Sequence, residues 1–114
     1  MTRTSPTVTP EEWAFTDLDG RIESASRGLS HLLGVGRLRR GDDFLNLFPL
    51  PRKALRHDIA GALGGWPVRR DVSIGAPGLR ERKIRYRVSR RLQLGGEGLF
   101  WLLDEVSTGA AAAA

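Results

Sequence analysis

The spacing of apolar and polar positions changes period several times along the chain. Trp13-Ala-Phe-Thr-Asp-Leu18 alternates with period two, with Trp13 and Phe15 on one face, and predicts a strand. Asp19-Gly20 predicts a two-residue hairpin, because Gly and Asp tolerate the positive φ of a type I′ turn, and Arg21-Ile-Glu-Ser-Ala25 returns as the partner strand. The period then becomes helical: Leu29, Leu32 and Leu33 share a stripe, Ser26 is a good N-cap and Gly34 a stop. Residues 35–42 read as a basic, glycine-containing loop. Asp42 or Asp43 can cap a short helix carrying Phe44, Leu47 and Phe48, which Pro49 and Pro51 break. Pro51 suits the first turn of a longer helix with Leu55, Ile59, Ala62 and Leu63 on one stripe, ended by Gly64-Gly65.

The remainder returns to period two. Val68, Val72 and Ile74 alternate; Ala76-Pro-Gly78 predicts a turn; Ile84, Tyr86, Val88, Leu92 and Leu94 then share one phase, while Lys83, Arg85, Arg87 and Ser89 take the other. Gly95-Gly96-Glu97-Gly98 predicts another turn. Leu99-Phe-Trp-Leu-Leu103 is continuously apolar, which suits the central strand of a sheet. The order β-β-α-α-β-β-β predicts an α+β fold, a five-stranded antiparallel sheet with helices packed on one face.

Composition narrows this picture. The 114 residues make one domain, and no apolar run approaches the ~18–20 residues of a membrane span. Zero cysteine excludes disulfides, thiolate metal sites and cysteinyl-flavin photochemistry. The formal charge of +5 comes mostly from residues 69–91, where nine basic side chains stand against Asp71 and Glu81. The Thr/Pro-rich residues 1–10 predict a disordered segment and 11–107 the domain. Residues 108–114, which end in five alanines, read as a linker or tail. No G-x-G-x-x-G, G-x-x-x-x-G-K-[ST] or H-E-x-x-H motif is present, so an enzyme is not expected.

Several marks together resemble a PAS domain. Thr16-Asp-Leu-Asp-Gly-Arg-Ile22 is similar to that family's first hairpin, and Ala25-Ser-Arg-Gly-Leu-Ser-His-Leu-Leu-Gly34 to the helix that follows, with Ser26 where Asn is usual. Arg52 to Gly65 looks like the long helix, and Glu105-Val106-Ser107 resembles the closing Asp-Ile-Thr signature. The resemblance covers roughly residues 12–107. It implies a non-enzymatic sensory or protein-interaction domain of a cytoplasmic bacterial signalling protein. Such a domain takes a small ligand or partner and relays the change through its last strand to an output domain, often as a homodimer.

The candidate binding residues are Arg70, Arg90 and His57. A haem would need an axial ligand, and Arg-His57-Asp58 resembles the local sequence around the haem ligand of PAS oxygen sensors. On a helical wheel His57 falls opposite the apolar stripe, as His31 does on its own helix, which predicts solvated side chains. No spacing of histidines and carboxylates predicts a metal site. Arg70 and Arg90 fall on the apolar phase of their strands. Either they meet an anionic ligand in a cavity enclosed by the long helix and the last three strands, or they pair with a core carboxylate, or a bulge or strand end returns them to water. Trp66 and Trp101 are expected to pack. An alternative function is nucleic-acid binding by the Lys83/Arg85/Arg87 strand face. That strand's one aromatic, Tyr86, lies on the opposite phase, which argues against single-strand stacking.

Overall fold

A computed structural model describes residues 11–66, 68–74, 82–93 and 96–106. Strands β1 (Glu12–Thr16) and β2 (Ile22–Ala25) lead into helix α1 (Leu29–Leu33), a single 3-10 turn (Phe44–Leu47) and helix α2 (Arg52–Leu63). Strands β3 (Val68–Ile74), β4 (Arg82–Gln93) and β5 (Gly96–Glu105) complete the chain. All strand pairs are antiparallel, and the sheet order is β2-β1-β5-β4-β3. The apolar run 99–103 is indeed central, flanked by β1 and β4.

The core fills the space between one sheet face and the helices. Leu29, Leu32, Leu33, Phe44, Leu45, Phe48, Leu55 and Ile59 descend from the helical side onto Ala14, Ile84, Tyr86, Val88, Leu99, Trp101 and Leu103. The β1 alternation holds, but its core face is Ala14 and Thr16; Trp13 and Phe15 are half-buried on the other side of the sheet. The reason lies in register. Ala14 sits opposite Trp101, so a small residue makes room for the largest one, while Trp13 and Phe15 sit opposite Leu102 and Phe100.

Several local expectations are corrected. The first hairpin is not a two-residue type I′ turn, because Asp19 does not have positive φ; among the described residues only glycines do. Instead Asp17 accepts from the backbone N–H groups of Asp19 and Arg21 through Oδ1, and its carbonyl accepts from Gly20. The loop is therefore an Asx-stabilised turn closed by Gly20 at φ 89°. A Cβ at Gly20 would lie 2.6 Å from Leu45 Cγ. Gly20→Ala is therefore expected to lose about 2 kcal/mol in urea unfolding, from φ strain plus the clash.

Ser26 does not cap α1; Gly28 stands at the cap position. The Ser26 hydroxyl accepts from Trp13 N–H and donates to Glu12 Oε1 (2.7 Å), fastening the end of β2 to β1. Asp43 does cap the 3-10 turn, accepting from Leu45 N–H, and Pro51 precedes α2 as its N-cap. Gly96 to Gly98 belong to β5 rather than to a turn, because Gly96 pairs with Gln93. The expected turn at 76–78, together with Leu94, Ser107 and both chain ends, lies outside the described residues. Among the described residues no helix is long and apolar enough to cross a membrane.

Candidate functional site

The helix-facing side of β3 and β4 carries the polar centre of the core. Arg70 and Tyr86 stand directly opposite each other in the β3–β4 ladder. Both reach up to Asp58 on α2, which is buried. Arg70 Nε and Nη2 donate to Asp58 Oδ2 and Oδ1 at 2.6 and 2.7 Å, a bidentate pair, and Tyr86 Oη donates to Oδ2 at 2.6 Å. Tyr86 is fully buried, whereas the Arg70 side chain keeps 37% exposure.

This geometry sets the protonation states. Burial alone would raise the Asp58 carboxyl. The hydrogen bonds from Arg70 and Tyr86, with the guanidinium charge, outweigh it and hold the group below its ordinary 3.8. Burial, followed by the hydrogen bond to Asp58, pushes the Tyr86 phenol above its ordinary 10.0. The trio thus persists as carboxylate, guanidinium and neutral phenol. Asp58 occupies the forked face of Arg70, so the arrangement joins α2 to β3 and β4 from within the fold.

Beside it, aromatic rings fill the sheet–helix space. Tyr86 lies 4.9 Å from Phe48 and 5.6 Å from Trp101, and Trp101 lies 5.2 Å from Phe44, centroid to centroid. Trp101 Nε1 donates to Thr16 Oγ1 at 2.9 Å, so the indole N–H is satisfied inside the core.

The other predicted residues disperse. Arg90 is at the surface, paired with Glu97 at 2.8 Å; its strand runs on past the helical cover, where inward phase no longer means burial. Leu92, on the same phase, is 76% exposed for the same reason. Trp66 does not pack in the core and is 73% exposed, because it follows the Gly64-Gly65 end of α2. His57 and His31 are exposed, as their helical positions predict. The structure therefore does not bring Arg70, Arg90 and His57 together. Among the described residues no group of three or more His, Cys, Asp or Glu side chains is placed to hold a metal ion.

Sequence motif alone marks Asp58 only as the neighbour of His57, not as the carboxylate that answers Arg70. The signal was available: Asp58 falls only about 40° outside the apolar stripe of α2, one turn from Leu55 and Ala62, where a carboxylate needs a partner.

The opposite sheet face is unlike the core. Trp13, Phe15, Phe100 and Leu102 form a half-buried apolar strip, with Phe15 and Phe100 rings 5.0 Å apart and the Arg91 guanidinium 4.8 Å over Phe100. Beside the strip, Arg85 pairs with Asp71 and Arg87 with Glu11, so two of the three cations of the proposed nucleic-acid face are already paired. At the far end of the sheet Arg82 pairs with Glu105 at 3.0 Å, and Val106 N–H donates to Lys83 carbonyl.

Solved structures share this architecture. A PAS domain of an HTR-like protein from Haloarcula marismortui superposes with a TM-score of 0.68 at 12% identity, covering 85% of this chain and 82% of that one. The chain has the PAS fold. A PAS domain from Desulfitobacterium hafniense (TM-score 0.65, 13% identity, 84% and 92% covered) has the same arrangement. So does the PAS domain of BvgS from Bordetella pertussis (0.61, 16%, 87% and 79%). No protein-family model and no curated protein matches the sequence. At these identities the PAS likeness concerns the fold.

Proposed function

We infer that this PAS-fold domain is a non-enzymatic interaction module of a signalling protein, acting as a homodimer through the outer face of its sheet. The observation that carries the reading is the apolar strip of Trp13, Phe15, Phe100 and Leu102 on the face away from the helices. The interior supports it: four aromatic rings and the Asp58–Arg70–Tyr86 trio occupy the region where a ligand-holding domain would keep space.

A second copy is the occupant that suits the charge. The sheet is polarised across its width. Along the strands the β1–β2 half carries Glu11, Asp17, Asp19 and Glu23 against Arg21, Glu12 being turned to the helical side. The outer face of β3–β4 carries Arg69, Lys83, Arg85, Arg87 and Arg91 against Asp71. A two-fold axis along the central strand sets the acidic half of one copy over the basic half of the other, and Phe100 and Leu102 of β5 over their own counterparts.

Strand β5 links this face to both the core and the chain's exit. Phe100 and Leu102 belong to the strip, Leu99, Trp101 and Leu103 to the core, and Glu105 is anchored by Arg82 just before the chain leaves the sheet. Partner binding is thereby relayed through β5 to the output domain.

Sedimentation of the purified domain tests the reading. The expected mass is twice the 12.5 kDa chain mass, and Phe100→Arg is expected to give monomers with an unchanged Tm. A wild-type domain that stays monomeric at about 100 μM overturns homodimerisation. A wild-type dimer unaffected by Phe100→Arg places the interface elsewhere.

A further inference from the structure

At the β2 edge of the sheet, far from the Asp58–Arg70 pair on the opposite edge, lies an open groove of about 300 Å³. The outer edge of β2, the turn into α1 and the loop that follows α1 enclose it. Arg27, Arg37, Arg39 and Arg40 line it together with the hydroxyl residues Ser24 and Ser30, and Glu23 is the one carboxylate among its walls.

The four arginines differ from six of the others, while Arg21, Arg56, Arg69 and Arg91, which likewise show no carboxylate partner among the described residues, stand apart from one another on different elements. Arg52, Arg70, Arg82, Arg85, Arg87 and Arg90 each hold a carboxylate partner. None of the groove's four pairs with a carboxylate among the described residues. Four guanidinium groups around one concavity repel one another, and a multivalent anion seated between them would relieve that repulsion.

The groove is also held in shape. Ile22 N–H donates to the Asp42 carbonyl and Gly41 N–H to the Ile22 carbonyl. Asp42 then folds the loop on itself, its carboxylate accepting from Arg39 N–H at 2.7 Å and its N–H donating to the Arg39 carbonyl. Leu38 packs against the core while its neighbours Arg37, Arg39 and Arg40 are exposed. The guanidinium groups are thus presented by a pinned loop, which lowers the ordering cost of binding.

We propose that this groove binds a small phosphate-bearing ligand of the pyrophosphate or nucleotide class. Four guanidinium groups against one carboxylate call for an anion of more than one charge, which a single carboxylate does not supply. Planar forked donors suit the oxygens of phosphates, and serine hydroxyls complete such sites. The volume matches the lower end of small-molecule pockets, large enough for a nucleotide. The groove lies at the β2 edge and the apolar strip on β1 and β5, sharing only Glu23 at their border, so either reading survives the failure of the other.

The test is a titration of ¹⁵N-labelled protein with pyrophosphate, ADP and inorganic phosphate at about 0.1 M salt, followed by amide chemical shifts. Saturable shifts at residues 23–30 and 37–40 are expected, with a Kd below about 1 mM for pyrophosphate or ADP and weaker binding of inorganic phosphate. The triple variant Arg37→Ala/Arg39→Ala/Arg40→Ala should lose at least about tenfold in affinity while keeping its Tm. Lys53→Ala/Arg56→Ala, which removes two exposed cations from α2, should bind as the wild type does. No saturation by about 10 mM overturns the proposal. So do shifts centred on residues 82–91, or equal losses in the two multiple variants, since these signify diffuse attraction to a basic surface.

Discussion

Asp58→Ala is expected to lower stability by about 2–4 kcal/mol, a fall in Tm of roughly 10–25 °C for a domain of this size. The substitution strips Arg70 of both hydrogen bonds and leaves the phenol of fully buried Tyr86 without an acceptor. Breaking a wholly buried pair costs about 3–5 kcal/mol, and the lower figure here reflects the partial access of Arg70 to water. Tyr86→Phe, which removes a single bond, should cost about 1–2 kcal/mol. A double variant, Asp58→Leu/Arg70→Met, should recover part of the loss, because neither charge is then left alone.

The same carboxylate gives the domain an acid limb. Its folded value lies below the ordinary 3.8, so its contribution is complete above that value and drains away as pH falls through the folded value. Urea midpoints measured from pH 6 down to pH 2 should therefore fall more steeply below about pH 4 for the wild type than for Asp58→Ala. Parallel profiles would sink the idea that this pair is a stabilising clamp. On the alkaline side the raised Tyr86 phenol works the other way: its contribution is intact below 10.0 and is lost above it.

Trp101→Ala should be the more severe core substitution, at about 3–5 kcal/mol. Trp101 is fully buried on the central strand, contacts the rings of Phe44, Phe48 and Tyr86, and meets small Ala14 across the ladder. Ala14 is too small to grow into the void, and the rings of Phe44, Phe48 and Tyr86 are held in their own contacts. Against a total stability of about 5–15 kcal/mol, the variant should show a collapsed near-UV circular dichroism signal or a strongly reduced urea midpoint. Thr16→Val separates packing from hydrogen bonding. It preserves shape but leaves the indole N–H unpaired, and should cost about 1–3 kcal/mol. A Trp101→Ala variant within about 1 kcal/mol of wild type would mean that the ring cluster is not the keystone described above.

The order of elements was legible because each segment's period was unambiguous: two in the strands, 3.6 in α2, and unbroken at 99–103. Element ends were legible where glycine or proline punctuates, as at Gly34, Pro51 and Gly64. Faces were harder. Trp13 and Phe15 alternate as a core strand would, and only the partner strand reveals that Ala14, opposite Trp101, is the inward residue. Arg70 and Arg90 share the same phase in sequence, yet one lies beneath α2 and the other beyond it; strand phase tells direction but not what covers it. The carboxylate that answers Arg70 comes from a helix 12 positions earlier, a pairing set by how α2 lies on the sheet. The groove at β2 was visible only as a basic loop, since its other walls come from residues 22–30.

The position of β5 between β1 and β4 also dictates an order of assembly. The first hairpin and the last three strands share no ladder until the final strand is in place, and the Thr16–Trp101 bond joins residues 85 apart. During synthesis β1 and β2 must therefore wait, with Trp13 and Phe15 uncovered, until nearly the whole domain has emerged. Closure of that distant pairing is the slow event expected of a topology rich in long-range contacts. A chain released before Leu103 would hold two sheet fragments and no core between them.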